Sequence, residues 1–316
     1  MGMYRTSFQG LSQQSLRYLG RNSQTVQMLQ KQLASGKTVS DMSDSPLEGM
    51  KILDLKTILT MDNQYKSNIS TALSEVQVTD SAMTSAADLI QRAKELATQG
   101  ASFGNDQNNL NAIATEIRQI TTQLVQLGNT TVGGRYIFGG KQTQTAPFSA
   151  VGNNVTYAGN APAVAWQRQI EVAENTTLTY NLNGESVFGR VTTTAVGPPP
   201  VFAAGSTGLF QTLTNLALNL EAGNQTSVRA RLDELDTDLR TVLTQQTSLG
   251  SIRNRLENTQ QLIDQRELTF SEQLNDMESI NLPEVLTQLS TADNAFQMSL
   301  ASTAKAIQPS LMQYLN

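Results

Sequence analysis

The side chains of this chain that could carry out chemistry are carboxylates, lysines and hydroxyl groups. The sequence contains neither His nor Cys, which removes imidazole bases, thiolate nucleophiles, disulfides and the commonest zinc ligands. Two acidic groups and one Gly-Lys-Thr motif remain as candidates for a catalytic, metal or nucleotide site.

The first acidic group lies between residues 233 and 238. Paired carboxylates are the catalytic groups of glycosidases, but here they alternate with the leucines of a predicted helix, so we expect a solvated face. The second group surrounds Pro46 and lacks the alternating ligands of a calcium loop. We interpret it as helix capping, with Asp44 or Ser45 as the cap and Pro46 as the first helical residue. The two groups are Asp233, Glu234, Asp236 and Asp238, and Asp41, Asp44, Glu48 and Asp54.

Gly36-Lys37-Thr38 matches the end of a phosphate-binding loop. That motif also requires an upstream glycine, and the position is occupied by Lys31. The preceding segment is predicted to be helical, whereas the motif follows a strand. The sequence therefore predicts no catalytic residue, no cofactor and no metal site.

Composition narrows the possible partners. The net charge is -5, and no basic stripe is present to neutralise phosphates, so a nucleic-acid partner is not expected. Charged residues make up only 16% of the chain; the polar surface must be Gln, Asn, Ser and Thr, which tolerates close subunit contact. Neither a signal-peptide segment nor a run of eighteen apolar residues is present, so we expect neither ordinary secretion nor membrane insertion.

Long helical repeats lie on both sides of the centre of the chain. From Ile52 to Ala97, apolar residues recur at spacings of three and four without a Pro or Gly, which predicts a helix of roughly 70 Å. Further helices are predicted over 110–127, 209–220 and 228–277. Two helices from each side of the centre would pack as an antiparallel four-helix rod.

The two ends of the chain carry heptad patterns, which predict coiled-coil helices that meet each other. Spacing alone fits ordinary amphipathic helices of a globular bundle equally well. Each stripe has only the other to cover it, so we expect the ends to be mobile in the monomer and ordered by neighbouring subunits. The predicted assembly interface consists of Leu19, Val26 and Leu33, together with Leu286, Leu289, Phe296, Leu300 and Ile307.

The centre of the chain is rich in Gly, Thr and short alternating apolar runs, which predicts β structure. Paired glycines bracket a hairpin over 133–140, and Asn183-Gly184 is a turn signal. The single Trp166 is expected in the core. Three prolines at 198–200 stiffen the exit from this insert. We expect a separable outer domain with few contacts to the rod.

The predicted fold class is therefore mainly α with a β insert: a long antiparallel helical rod or coiled coil built from both chain ends, with a small all-β domain in the middle. The predicted domains are a terminal coiled-coil assembly segment (1–47 and 280–316), a helical rod domain (48–140 and 207–279) and a β insert domain (141–206).

Several short motifs occur in an order that is similar to one known family. Gln32-Leu33-Ala34-Ser35-Gly36-Lys37-Thr38 followed by Asp44-Ser45-Pro46 resembles the N-terminal signature of bacterial flagellins and their hook-associated relatives. Gly134-Arg135-Tyr136-Ile137-Phe138-Gly139-Gly140 resembles the hairpin opening of the same family. The motifs closer to the hook-associated branch than to flagellin are Tyr157-Ala158-Gly159-Asn160, Arg168-Gln169-Ile170, Gly184-Glu185-Ser186-Val187-Phe188 and the C-terminal residues 309–316.

The resemblance implies a structural adaptor at the flagellar hook–filament junction, which is not an enzyme. It would be exported unfolded by the flagellar type III apparatus and located outside the cell. The implied partners are its own copies in a ring, the other hook-associated junction protein, flagellin and a cytosolic export chaperone. The alternatives are a small flagellin that forms the filament itself and a secreted carboxylate-based glycosidase.

Overall fold

The structure is a computed structural model, and its described residues form seven helices and eight short strands. The described residues are 3–39, 45–102, 104, 106–152, 154–160, 166–190, 193–195, 201–202 and 208–312. The helices are α1 (Met3–Ser35), α2 (Pro46–Gly100), α3 (Gln107–Gly128), α4 (Gly184–Phe188), α5 (Leu209–Glu221), α6 (Gln225–Glu278) and α7 (Leu282–Met312). The strands are β1 (Thr131–Val132), β2 (Arg135–Tyr136), β3 (Phe148–Val151), β4 (Asn154–Tyr157), β5 (Gln169–Ala173), β6 (Thr176–Thr179), β7 (Thr193–Ala195) and β8 (Val201–Phe202).

The helices predicted from periodicity are confirmed. Pro46 is the first residue of α2, where its missing N–H is not needed. Every position of the predicted seam of α2 from Ile52 to Ala97 is buried or half-buried. α3 begins after Asp106, whose carboxylate accepts a hydrogen bond of 2.8 Å from the backbone N–H of Asn109, so the cap satisfies one of the free donors of the first turn.

α2 and α6 lie side by side and antiparallel in the main core. Lys94 Nζ lies 2.5 Å from Oδ1 of Asp236, and Lys66 Nζ lies 2.8 Å from Oδ1 of Asp264. α3 and α5 complete this core, which confirms the predicted packing of four helices. α6 contributes one buried residue at every seventh position: Val228, Leu235, Val242, Leu249, Leu256 and Ile263.

The strands form four separate antiparallel hairpins, β1–β2, β3–β4, β5–β6 and β7–β8. The predicted glycine hairpin is confirmed: Gly133 and Gly134 have φ of 57° and 76° between β1 and β2. Two successive positive φ values give the turn a twist that matches the twist of the flanking strands. At the β5–β6 turn, Asn175 has a φ of 54°.

Two local predictions in the insert are wrong. Asn183-Gly184 does not join two strands but begins α4, because Asn183 Oδ1 accepts hydrogen bonds from the backbone N–H groups of Glu185 (2.9 Å) and Ser186 (3.2 Å). The same side-chain oxygen makes Asn a good helix cap and a good turn residue, so its sequence signal is ambiguous. Trp166 is only half-buried.

The insert shares one core with the helices, in contrast to the expectation of few contacts. The ring centroid of Phe148 in β3 lies 5.7 Å from that of Phe188 in α4 and 5.4 Å from that of Phe210 in α5. Gly128, at the end of α3, allows this approach, because a Cβ there would lie 2.6 Å from the Phe148 ring. Short aromatic runs in the sequence do not show which element they will pack against.

The β5–β6 hairpin is also held to α2. Arg168, just before β5, forms an ion pair with Glu75, and the two side chains are only 11% and 6% exposed. The guanidinium carbon lies 5.0 Å from the ring centroid of Tyr180, and burial lowers the pKa of Arg168. Asn68 Nδ2 donates a hydrogen bond of 3.0 Å to the carbonyl of Glu171. The hairpin thus covers this stretch of α2.

The chain divides into two compact units. Residues 1–61 and 265–316 form the terminal unit, and residues 62–264 form the central unit. Both chain ends therefore belong to one unit, as the nested pattern predicts. The boundaries proposed from the sequence for three functional domains stay a prediction. Within the described ranges, no helix has an apolar stretch long enough to cross a membrane.

Candidate assembly interface

The terminal helices α1 and α7 pack against each other as an antiparallel pair. On α1 the covered positions recur at spacings of three and four, and on α7 they do the same, which is the pattern of a two-helix coiled coil. The covered residues are Ser15, Leu19, Asn22, Val26, Leu29 and Leu33 on α1, and Val285, Leu289, Ala292, Phe296, Ser299 and Thr303 on α7.

The structure divides the predicted interface residues into two sets. Leu19, Val26, Leu33, Leu289 and Phe296 lie in the seam between α1 and α7, where they are buried or half-buried. The two residues that lie outside the seam are Leu286 and Leu300, which are 47% and 45% exposed. The side chain of Ile307 lies outside the described part of the chain. A role of these residues in contacts between subunits stays a prediction.

Sequence reasoning missed part of the seam. Val285 and Leu29 are 8% and 4% exposed, and the 3–4 spacing from Leu289 and Val26 could have identified both. It also missed a polar pair in the seam: Asn22 Nδ2 donates a hydrogen bond of 2.6 Å to Ser299 Oγ. A polar contact inside a coiled-coil seam favours one register over its alternatives, because a shifted pairing leaves the amide without a partner.

The Gly36-Lys37-Thr38 motif forms the junction between α1 and the end of α6. Gly36 ends α1 with a φ of 67°, a conformation that favours glycine. The Thr38 backbone N–H then donates 2.7 Å to the carbonyl of Glu278, and its hydroxyl donates 3.0 Å to the carbonyl of Ser279. The motif therefore has a structural role in the terminal unit.

Charge strengthens the same junction. The Glu278 carboxylate pairs with Lys37 at 3.1 Å and with Lys56 of α2, and its side chain is 14% exposed. Burial alone would raise the pKa of Glu278, but the two ammonium groups outweigh burial, so its pKa lies below the ordinary value. Glu278 is therefore ionised at neutral pH and joins two segments that are remote in sequence.

The acidic group of α6 is less solvated than expected. Asp236 pairs with Lys94, Glu234 pairs with Arg231, and burial raises the pKa of Asp238. In the described parts of the chain, no cluster of three or more acidic side chains is arranged to hold a metal ion. Of these contacts, the Asp236–Lys94 pair joins α6 to α2, whereas the Glu234–Arg231 pair lies within α6.

Exposed apolar side chains are concentrated in the terminal unit. Twelve of the fifteen large hydrophobic residues that are exposed in the described structure belong to it. They include Leu47 and Met50 at the start of α2, which are 68% and 58% exposed, and Met298 of α7, which is 73% exposed. This concentration makes the terminal unit the candidate surface for association with other proteins.

Comparisons with known proteins agree with this picture. Residues 7–143 match the family model described as the bacterial flagellin N-terminal helical region. The chain is 28% identical to flagellar hook-associated protein 3 of Escherichia coli (strain K12) over 307 residues, which covers 93% of this chain and 94% of the relative. It is 25% identical to a flagellin of Clostridium tyrobutyricum over 122 residues, or 38% of this chain and 32% of the relative.

The fold is also similar to that of a solved relative. The crystal structure of flagellar hook-associated protein 3 from Legionella pneumophila superposes with a TM-score of 0.61 at 18% identity, covering 72% of this chain and 98% of that one. This likeness shows a shared helical fold. Part of the chain matches the flagellin N-terminal family model, and over nearly its whole length the chain is similar to flagellar hook-associated protein 3.

Proposed function

We propose that this chain is a structural adaptor subunit at the junction between the flagellar hook and filament. The observation that carries the proposal is the alignment with hook-associated protein 3, which extends over 93% of this chain and 94% of the relative. Because the match extends over nearly the whole length of both chains, it is not confined to one helical segment. The chain is thus a component of the bacterial flagellum.

The surface supports a function based on packing. The terminal unit has leucines and methionines that its own helices leave partly uncovered, and burying the exposed part of such a side chain between subunits yields on the order of 1 kcal/mol. The proposed partners are further copies in a ring, the other hook-associated junction protein, flagellin and a cytosolic export chaperone. Export by the type III apparatus and a location outside the cell belong to the same proposal.

The filament-forming alternative has weaker support. The likeness to flagellin covers only 38% of this chain and 32% of the relative. A flagellin would form long filaments under polymerising conditions, whereas an adaptor would form short rings or remain unpolymerised. Electron microscopy of the purified protein distinguishes the two.

The described residues of the insert do not bring two carboxylates together, so they do not favour the enzymatic alternative. Glu185 of the insert pairs with Arg190 at 3.1 Å, and Glu171 and Glu174 are exposed on the β5–β6 hairpin. A glycosidase needs two carboxylates facing each other across a substrate cleft. We therefore propose that the chain acts by subunit packing and is not an enzyme.

The decisive experiment for the adaptor function is localisation. An antibody against the central unit, applied to intact cells and followed by gold labelling, should mark one short zone between hook and filament. A strain that lacks the protein should assemble hooks without attached filaments. Labelling along the whole filament would overturn the adaptor function in favour of a flagellin.

A further inference from the structure

The α1–α7 pair has two different flanks on either side of its covered seam. One flank carries the leucine ridge, defined as Leu282, Leu286 and Leu300, which are 51%, 47% and 45% exposed. The ridge is continuous with the covered seam through Leu289 and Phe296, because 282, 286, 289, 296 and 300 follow a 3–4 spacing in which Asp293 occupies the position between 289 and 296. α7 therefore carries enough apolar residues for two partners, and α1 covers only one of the two sides.

The opposite flank carries the terminal groove, an open depression of about 420 Å³ between α1 and α7. No charged side chain lines this groove. Its walls are small or uncharged residues, which accept an apolar side chain without the cost of burying a charge. The residues that define the groove here are Thr25, Met28, Gln288, Thr291, Ala292 and Ala295.

Ridge and groove of one chain cannot meet each other. Ala295 follows Leu286 on α7 by about two and a half helical turns, so the two side chains point in opposite directions. The ridge can therefore enter only a groove of another molecule, and the groove can receive a ridge leucine only from another molecule.

We propose that the leucine ridge of one copy docks into the terminal groove of the next copy, and that this contact joins neighbouring subunits. This inference rests on the adaptor function proposed above and specifies its self-association. Two different patches on one molecule form a heterologous contact, which continues from copy to copy and closes into a ring when the rotation allows it.

Charge is arranged in agreement with this pairing. Asp293 is exposed midway along the ridge, and Arg21 is exposed on the groove flank of α1, one turn before Thr25. Opposite charges on the two flanks favour ridge against groove and disfavour ridge against ridge, which would bring two Asp293 side chains together.

Disulfide cross-linking tests the contact directly, because the chain contains no Cys of its own. Two double variants, Leu286→Cys with Ala295→Cys and Leu300→Cys with Ala295→Cys, each place one thiol on the ridge and one in the groove. In both variants the two positions are too far apart within one chain for a disulfide, which needs Cα atoms within about 7 Å. The matched controls are the three single-Cys variants.

The variants are produced in motile cells, and isolated flagella are oxidised and analysed by immunoblotting. We expect at least one double variant to form a ladder that extends beyond dimers, whereas each single variant stays monomeric. Dimers from Leu286→Cys or Leu300→Cys alone would show ridge against ridge and overturn the proposal. Absence of a ladder from both double variants in motile cells would also overturn it.

Charge reversal provides a second test of the contact, which applies even if the Cys variants fail to assemble. Asp293→Arg and Arg21→Asp should each reduce motility, and the combined variant should recover it; a combined variant as defective as the single ones would count against the pairing. The localisation experiment separates the two proposals. A chain located at the junction without the ladder refutes only this contact, whereas a chain absent from the junction refutes the adaptor function.

Discussion

Replacement of Phe148 by Ala tests whether the β insert and the helices unfold together. Phe148 is 1% exposed, and its ring contacts those of Tyr157 in the insert and Phe210 in α5, with centroids 5.0 and 5.4 Å away. If the shared core is cooperative, a cavity made in β3 must destabilise the helices as much as the insert. If the insert were a separable domain, the helices would not respond.

The structure allows the size of the effect to be worked out. A buried Phe→Ala substitution costs about 3–5 kcal/mol. The rings of Phe188 and Phe210 and the backbone at Gly128 surround the site, which leaves little freedom to collapse onto the cavity. For a unit of this size, 1 kcal/mol corresponds to roughly 2–4 °C, so the melting temperature should fall by roughly 6–20 °C.

Two probes separate the alternatives. Trp166 is the only Trp of the chain, so its fluorescence reports on the insert, while far-ultraviolet circular dichroism reports on the helices. Both transitions should move down together in the variant. The matched control is Val151→Ala on the same strand, where the side chain is 75% exposed and a change within about 0.5 kcal/mol is expected. An unchanged helical transition beside a lowered fluorescence transition would refute the shared core.

Three further predictions concern the terminal unit. Replacing Leu286 and Leu300 together by Ser should change the free energy of unfolding by no more than about 0.5 kcal/mol per site, because both side chains are almost half exposed. The same variant should abolish motility, because both residues belong to the proposed interface. Normal swimming of the variant would contradict that interface. Glu278→Gln should make unfolding less sensitive to acid, as measured by urea titration across the pH range. Because the pKa of Glu278 is lowered in the folded state, its ion pairs stabilise the fold above the unfolded pKa of about 4.3. This stabilisation is lost as the pH falls through the folded pKa. Equal acid sensitivity of the wild-type protein and the variant would argue against a stabilising role of these ion pairs. Limited proteolysis of the monomer should remove α1 and α7 before it cleaves the central unit, and equal protection would show that the ends are stable without neighbours.

Much of the helical architecture could be predicted because it depends on local repeats. The 3–4 spacing identified α2 and α3, and the structure buries those positions as expected. Pro46 and the Gly133-Gly134 turn were also predictable, since Pro fixes φ at its own position and Gly permits the positive φ that the turn requires. The candidate interface was located on α1 and α7 by the same heptad signal.

The side of each helix that meets its partner was less predictable. The sequence pattern favoured Leu286 for the α7 seam, but the covered residue is its neighbour Val285. Because α7 has apolar residues on two adjacent columns, periodicity identifies the combined stripe and does not show which column faces α1. The partner helix makes that choice, through contacts such as Asn22 with Ser299.

The sequence by itself determined the residues that favour helix, the turns that glycine and proline permit, the nesting of strand-forming segments inside helical ones, and the lack of His and Cys chemistry. Only the tertiary structure brought Lys37 to Glu278 and Arg168 to Glu75, and only it placed Phe148 against α5. Periodicity arises from backbone geometry that repeats every few residues, so it is written locally along the chain. A contact between remote segments depends on how whole elements pack, so no local pattern predicts which residue a buried ring or charged group will contact.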